Sequence, residues 1–208
     1  LNGQINWKVT RKKKLWKAII EDKIQSEIDI LHLESKNINS QIKLKEYKES
    51  VYTDDQTNRE AISARLYFQE MFGNDFSRDL PCVTNFALNY GYKIIASYIS
   101  KCISSRGLLT QLGIHHIGES NPFNLTYDFI EPIRVIVDMW VYENITDTFN
   151  ALLKQELINI LTYKVFVNGK WMRLNDAIED IIDSYIAYLE ERSNNIISID
   201  FSKGIREE

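Results

Sequence analysis

The stretch Arg11-Lys-Lys-Lys-Leu-Trp16-Lys-Ala-Ile-Ile20-Glu-Asp-Lys-Ile24-Gln-Ser-Glu-Ile28-Asp-Ile-Leu31-His-Leu-Glu34 decides the fold class. Trp16, Ile20, Ile24, Ile28 and Leu31 recur at spacings of four and three, so they line one face of a long helix over about 11–34. Working outward, residues 35–50 are polar and Lys-rich, either a short helix or an exposed connector. A second helix is expected over Asn58–Phe72, with Asp54, Asp55 or Thr57 as its cap and Gly73 as its stop. Pro81 breaks the chain, and a third long helix follows over Val83–Ser105, ended by Gly107. Asn124 is the expected N-cap of a fourth helix carrying Asp128, Glu131 and Arg134, in which Pro132 removes a hydrogen bond. Further helical turns reach about Leu161. Val165-Phe-Val-Asn-Gly-Lys-Trp171 then reads as a hairpin with Asn168-Gly169 as a type I′ turn. Asn175 is the expected cap of a last helix with Ile178, Ile181, Ile182, Tyr185 and Leu189 in one stripe. The expectation is an all-α fold, a helical catalytic domain with one small β-hairpin.

Composition agrees. Eight glycines and three prolines in 208 residues stand against roughly 25 for average usage, which disfavours turn-rich sandwiches, barrels and disordered chains. No apolar run approaches the ~18 residues of a membrane helix, and no signal-peptide pattern opens the chain, so no membrane partner is expected. Cys82 and Cys102 form neither a disulfide framework nor metal-ligand spacing, which suits the reducing cytoplasm. The net charge of −4 argues against nucleic acid when taken alone. Residues 1–48, however, hold eleven Lys/Arg against six Asp/Glu, and the rest fourteen against twenty-three. This asymmetry reads either as a basic arm or as a solvated helix face.

Phosphate loops, nucleophile elbows, His-Glu-x-x-His and paired Cys motifs are absent. Glu60 falls in the first turn of the second helix, either as an ordinary acid favoured by the macrodipole or as a ligand. His115-His116 lies in the irregular stretch between Gly113 and Gly118. Asp128 and Glu131 are three apart and share a helix face. Such a carboxylate pair needs a cation, a proton or full solvation. A carboxylate, an imidazole and a carboxylate pair on separate elements can converge on a divalent metal, and oxygen-rich ligation favours Mg2+ or Mn2+.

Several motifs, in order, resemble the CRISPR-associated spacer-acquisition integrase, the Cas-one family. They are Asn58-Arg-Glu60-Ala-Ile-Ser-Ala-Arg65-Leu-Tyr67-Phe68, Phe72-Gly73-Asn-Asp-Phe76-Ser-Arg78 and Asn85-Phe-Ala-Leu-Asn89-Tyr90-Gly91-Tyr92. Leu112-Gly-Ile-His-His116, Asn121-Pro-Phe-Asn-Leu125 and Asp128-Phe-Ile-Glu131-Pro-Ile-Arg134 follow. The pattern looks like the type II form, II-A within it. The resemblance implies a metal-dependent DNA endonuclease/integrase that joins spacer-precursor 3′-hydroxyl ends to the CRISPR repeat by transesterification. It implies Glu60, His116 and Glu131 as catalytic metal ligands, with His116 rather than His115, and Asp128, Asn85, Asn89 and Tyr92 in support. Its implied partners are double-stranded DNA, the Cas-two subunit and a second copy of the full-length chain.

Arg59, Arg65 and Arg78 are candidate phosphate contacts, each also readable as a structural ion pair. Arg11, Lys12, Lys13 and Lys14 are candidates to track a DNA backbone by counterion release. Family members begin with a β-rich domain, so the expected organisation is a connector region over 1–56 following that domain, a catalytic domain over 57–192 and a loose tail over 193–208. The strand-like Ile196–Phe201 is expected to add an edge strand to a partner. Two rival readings share these residues: a stand-alone metal-dependent nuclease of branched DNA, and a non-catalytic DNA-binding scaffold.

Overall fold

A computed structural model describes residues 2–207 of the chain. The helices are α1 (Asn2–Ile5), α2 (Val9–Leu33), α3 (Ile38–Glu49), α4 (Arg59–Phe72), α5 (Val83–Ser105), α6 (Asn124–Ile130), α7 (Val135–Asn144) and α8 (Ala151–Ile158). Strands β1 (Lys164–Val167) and β2 (Lys170–Arg173) precede α9 (Leu174–Leu189). Among the described residues the fold is all-α with one antiparallel hairpin, as the periodicities indicate. Asn168 and Gly169 both have positive φ, 50° and 81°, which a type I′ turn requires.

The core is built around α2. Leu15, Trp16, Ile19, Ile20, Ile24, Ile30 and Leu31 on this helix are wholly buried, each stabilising the fold by about 1.5–3 kcal/mol before entropy is set against it. The helix packs on α3, α4, α7, α9 and the Glu131–Ile133 turn. α2, within the region set apart as a connector by the sequence, thus forms the central rod of the helical core. The stripe of α9 packs on it, with Ile178, Ile181, Ile182, Tyr185 and Leu189 all buried.

Three local expectations are corrected. Asn124 does not cap α6: it is the first helical residue, buried, and its amide donates to the carbonyls of Gln111 (3.0 Å) and Gly118 (2.9 Å), pinning the preceding loop. Asn175 does not cap α9; Leu174 already has helical geometry, and Arg173 at the cap position is extended. The tail is not loose, because Phe201 is fully buried and Ile199 nearly so. Asp200 N–H donates to Phe166 O of β1 at 2.8 Å, and Lys164 and Arg206 exchange backbone bonds at 2.7 and 3.0 Å. The alternating segment Ile196–Phe201 therefore lies against its own hairpin instead of offering a free edge strand.

Pro132 interrupts the fourth helical stretch as expected. The chain passes from α6 through a 3-10 turn, Glu131–Ile133, into α7. That turn brings Glu131 to face α2.

Candidate active site

Glu60 is placed by the turn before α4. Asp54, Asp55 and Asn58 have positive φ of 68°, 45° and 53°, a strained run for residues with a Cβ. The Asp55 carboxylate compensates by accepting from Arg59 N–H (2.8 Å) and Glu60 N–H (2.9 Å), which ties down two free donors of the helix N-terminus. Of the three expected caps, Asp55 makes these bonds.

His116 is held through Asp128. The fully buried Asp128 carboxylate accepts from the backbone N–H groups of Ile114 (2.6 Å), His115 (3.2 Å) and His116 (3.0 Å). It also accepts from His116 Nδ1 at 2.7 Å. With the proton on Nδ1, the neutral ring keeps a bare lone pair on Nε2, the form a metal ligand needs. The hydrogen bond to Asp128 outweighs burial and raises the His116 pKa above 6.5. Only glycine fits at position 113, where a Cβ would collide with the His116 carbonyl and the Asp128 carboxylate. His115 turns away: its ring stacks flat on Trp16 with centroids 4.2 Å apart, and its Nδ1 lies 3.4 Å from Asp54.

Glu60 and Glu131 converge on one cation, and it is a side chain. Lys23 Nζ of α2 lies 3.1 Å from Glu60 Oε1 and 2.6 Å from Glu131 Oε2. Arg134 takes the other Glu131 oxygen at 2.9 Å. Burial alone would raise the Glu131 pKa, but Arg134 and Lys23 outweigh it and hold the carboxyl at about 2. Burial likewise opposes the charge on Lys23, yet Glu131 and Glu60 keep its pKa above the ordinary lysine value. These four groups open onto a cavity of about 340 Å3 that also exposes Glu27, Tyr67, Arg78, Tyr92 and Asp138.

The sequence reading missed Lys23, Glu27 and Asp138. Lys23 and Glu27 were visible only as charges on the apolar face of α2, beside Ile20 and Ile24. Glu27 is buried with Oε2 unpartnered, and desolvation pushes its carboxyl to about 8. Asp138, raised to about 6 chiefly by burial, accepts a short hydrogen bond from the Tyr92 hydroxyl.

Among the described residues, no three acidic, histidine or cysteine side chains come close enough to hold a metal ion. The expected triad is brought together in part: the two glutamates meet on Lys23, and His116 bonds to Asp128. Glu60 and Glu131 nevertheless present carboxylate oxygens, the donor type a hard divalent ion takes, to one shared cation, and both act electrostatically on the His116 ring.

The expected supporting residues have different partners. Asn85 donates to the Ser77 and Leu80 carbonyls (2.8 and 2.9 Å) and accepts a short bond from Arg78. Asn89 accepts from Arg78 at 2.6 Å. Both asparagines therefore hold Arg78, whose guanidinium lies over the Phe68 and Tyr92 rings. Arg59 lies over Tyr47, and Arg65 is exposed along a groove beside α4. In the basic run, Arg11 is bonded to Asn194 (2.7 Å) and packs on Tyr188, while Lys13 pairs with Asp54 (2.9 Å). Lys12 lines a groove with Gln4 and Ile5, and Lys14 is exposed. The four therefore do not form a continuous solvent-facing track, because two are engaged within the chain.

The chain is thus a helical domain with an ion-lined cavity, in which the half-buried Glu60 and the buried Glu131 share Lys23, and with an aspartate-anchored histidine on the neighbouring loop. The sequence model of the family described as CRISPR associated protein Cas1 matches residues 82–153. A CRISPR-associated endonuclease Cas1 from Neisseria meningitidis serogroup C (strain 8013) is 33% identical over 198 residues, covering 93% of this chain. Among solved structures, a casposase bound to integration product superposes with a TM-score of 0.69 at 23% identity, over 92% of this chain and 67% of that one. A Cas6-RT-Cas1--Cas2 complex gives 0.71 at 17% identity, over 92% and 25%. The two structural likenesses show the fold. The chain is similar to Cas1 proteins over most of its length, and it spans 65% of the length of the Neisseria protein.

Proposed function

We propose that this chain carries the catalytic centre of a metal-dependent DNA endonuclease/integrase of CRISPR adaptation, which joins spacer-precursor 3′-hydroxyl ends to the CRISPR repeat. The observation that carries this reading is the convergence of Glu60 and Glu131 on one cation, with both carboxylates acting on the ring of His116, whose Nδ1 is held by Asp128 and whose Nε2 is left to face the site. The Cas1 model match over residues 82–153 and the endonuclease name of the Neisseria relative support the same reading.

Glu60, Glu131 and His116 Nε2 are the groups to hold Mg2+ or Mn2+, which when bound supplies Lewis-acid stabilisation of charge on a phosphate oxygen. Asp128 keeps the His116 proton on Nδ1. Arg134 and Arg78, fixed by Glu131 and by the two asparagines, line the cavity with positive charge suited to a phosphodiester. In the joining step the 3′-oxygen forms a new bond to phosphorus and loses its proton, the repeat-strand P–O bond breaks, and the departing 3′-oxygen gains a proton. No protein nucleophile is consumed.

The partners of this reading are double-stranded DNA, a Cas-two subunit and a second copy of the full-length chain, working in the cytoplasm. The solved relatives bound to integration product and in a complex with Cas2 support the first two. No helix among the described residues is long and apolar enough to cross a membrane.

The test is Mn2+-dependent strand transfer of a labelled duplex into a repeat substrate by the full-length protein, wild type against His116→Ala. Joining by the wild type and its loss in a folded variant is the expected result. Equal joining by both removes His116 from the site. Cleavage without joining favours a stand-alone nuclease.

A further inference from the structure

Three of the four glutamate oxygens already face a cation. Glu131 is saturated, Oε1 by Arg134 at 2.9 Å and Oε2 by Lys23 at 2.6 Å, while Glu60 Oε1 is 3.1 Å from the same ammonium. Lys23 is buried, projecting from the core face of α2, which also carries Glu27, toward Glu60 of α4 and Glu131 of the Glu131–Ile133 turn. Lys23, Arg134, Glu60 and Glu131 together sum to zero charge. A divalent ion entering beside Lys23 would leave two positive charges in excess in a site that burial keeps at low dielectric.

We propose that Lys23 is a resident counter-cation: it holds Glu60 and Glu131 at cation-binding distance in the metal-free protein and must leave their oxygens for a divalent ion to enter. This rests on the reading of the site as a metal centre. Metal uptake is then an exchange of one cation for another. The cavity of about 340 Å3 beside Nζ gives the ammonium somewhere to go. The displaced charge stays near Arg78 and Arg134, on the side a phosphodiester would approach. Lys23 is therefore a positioning residue that sets the metal concentration at which the site loads.

A purely structural lysine and a competing one make opposite predictions. Removing a structural lysine loosens the carboxylates and weakens metal binding. Removing a competitor leaves the site one charge more negative and strengthens it. The experiment is calorimetric titration of Mn2+ into the full-length protein, comparing wild type, Lys23→Met and Glu60→Gln. Affinity should rise about 10- to 100-fold in Lys23→Met and fall in Glu60→Gln. Equal or weaker binding in Lys23→Met, with Glu60→Gln still impaired, overturns the role of Lys23 and leaves the metal centre standing. No binding to any of the three overturns both.

Should Lys23→Met fail to fold, the wild type carries the test. The ammonium resonance of Lys23, protected by its two carboxylates, should broaden or shift to a free-lysine position on saturation with Mg2+. An unchanged resonance in Mg2+-saturated protein refutes displacement.

Discussion

Glu27→Gln should stabilise the protein, and more so as pH rises. Glu27 sits on the core face of α2, is 2% exposed, and leaves Oε2 without a partner. Desolvation raises its pKa from 4.5 to about 8, against smaller opposing effects from Lys23 and the Ser63 hydroxyl. The folded pKa is above the unfolded one, so the associated stability is fully present below about 4.5 and is lost as pH rises through about 8. Over that window the unfolded chain has released a proton that the folded chain retains. The loss is about 1.4 kcal/mol per pH unit, or roughly 3 kcal/mol between pH 5 and 7.5. Glutamine keeps the shape and is neutral in both states, so it deletes this dependence. For a chain of this size the gap in melting temperature should open from near zero at pH 5 to roughly 6–12 °C at pH 7.5. Differential scanning calorimetry of both proteins at half-unit pH steps reads it. Asp22 and Asp138, also raised by burial, bend both curves alike, so only the difference between them matters. Melting curves that stay parallel from pH 5 to 8 would refute the assignment of a protonated Glu27.

Two further outcomes follow from the packing. Asp128→Asn removes the charge that three backbone N–H groups and His116 Nδ1 share. It should cost about 2–3 kcal/mol and speed amide exchange at residues 114–116 while α5 stays protected, whereas unchanged exchange there would show the loop is held by something else. Phe201→Ala empties a fully buried site under the hairpin. It should cost about 3–5 kcal/mol in urea unfolding, and a loss under 1 kcal/mol would return residues 193–208 to the status of a loose tail.

Most of the fold was legible because helices announce themselves locally. The stripe Ile178, Ile181, Ile182, Tyr185 and Leu189 gives α9, and Asn168-Gly169 gives the hairpin, each from residues within a few positions of one another. The caps were less legible, since Asn124 and Asn175 have the right side chain for a cap yet serve other bonds. The tail was misread because alternation in Ile196–Phe201 says strand but not whose strand. At the site, the motifs picked out Glu60, His116 and Glu131, but not what lies between them. Lys23 is 37 residues from Glu60 and 108 from Glu131, and a helical period sorts lysine to the solvent face by default. The anchoring of His116 by Asp128, 12 residues away, likewise follows from the tight turn at Gly113 and not from any periodicity.

α2 carries Trp16, stacked on His115 in the histidine loop, and seven residues later Lys23, clasped by the two glutamates. Two helical turns separate them, about 10 Å along one stiff axis. The histidine side and the acidic side of the site are therefore gauged against the same ruler. A slide of that rod by one residue would carry Trp16 off its ring and Lys23 off its carboxylates in the same motion. Anything that pushes on the end of α2 thus addresses both halves of the centre at once, without touching either.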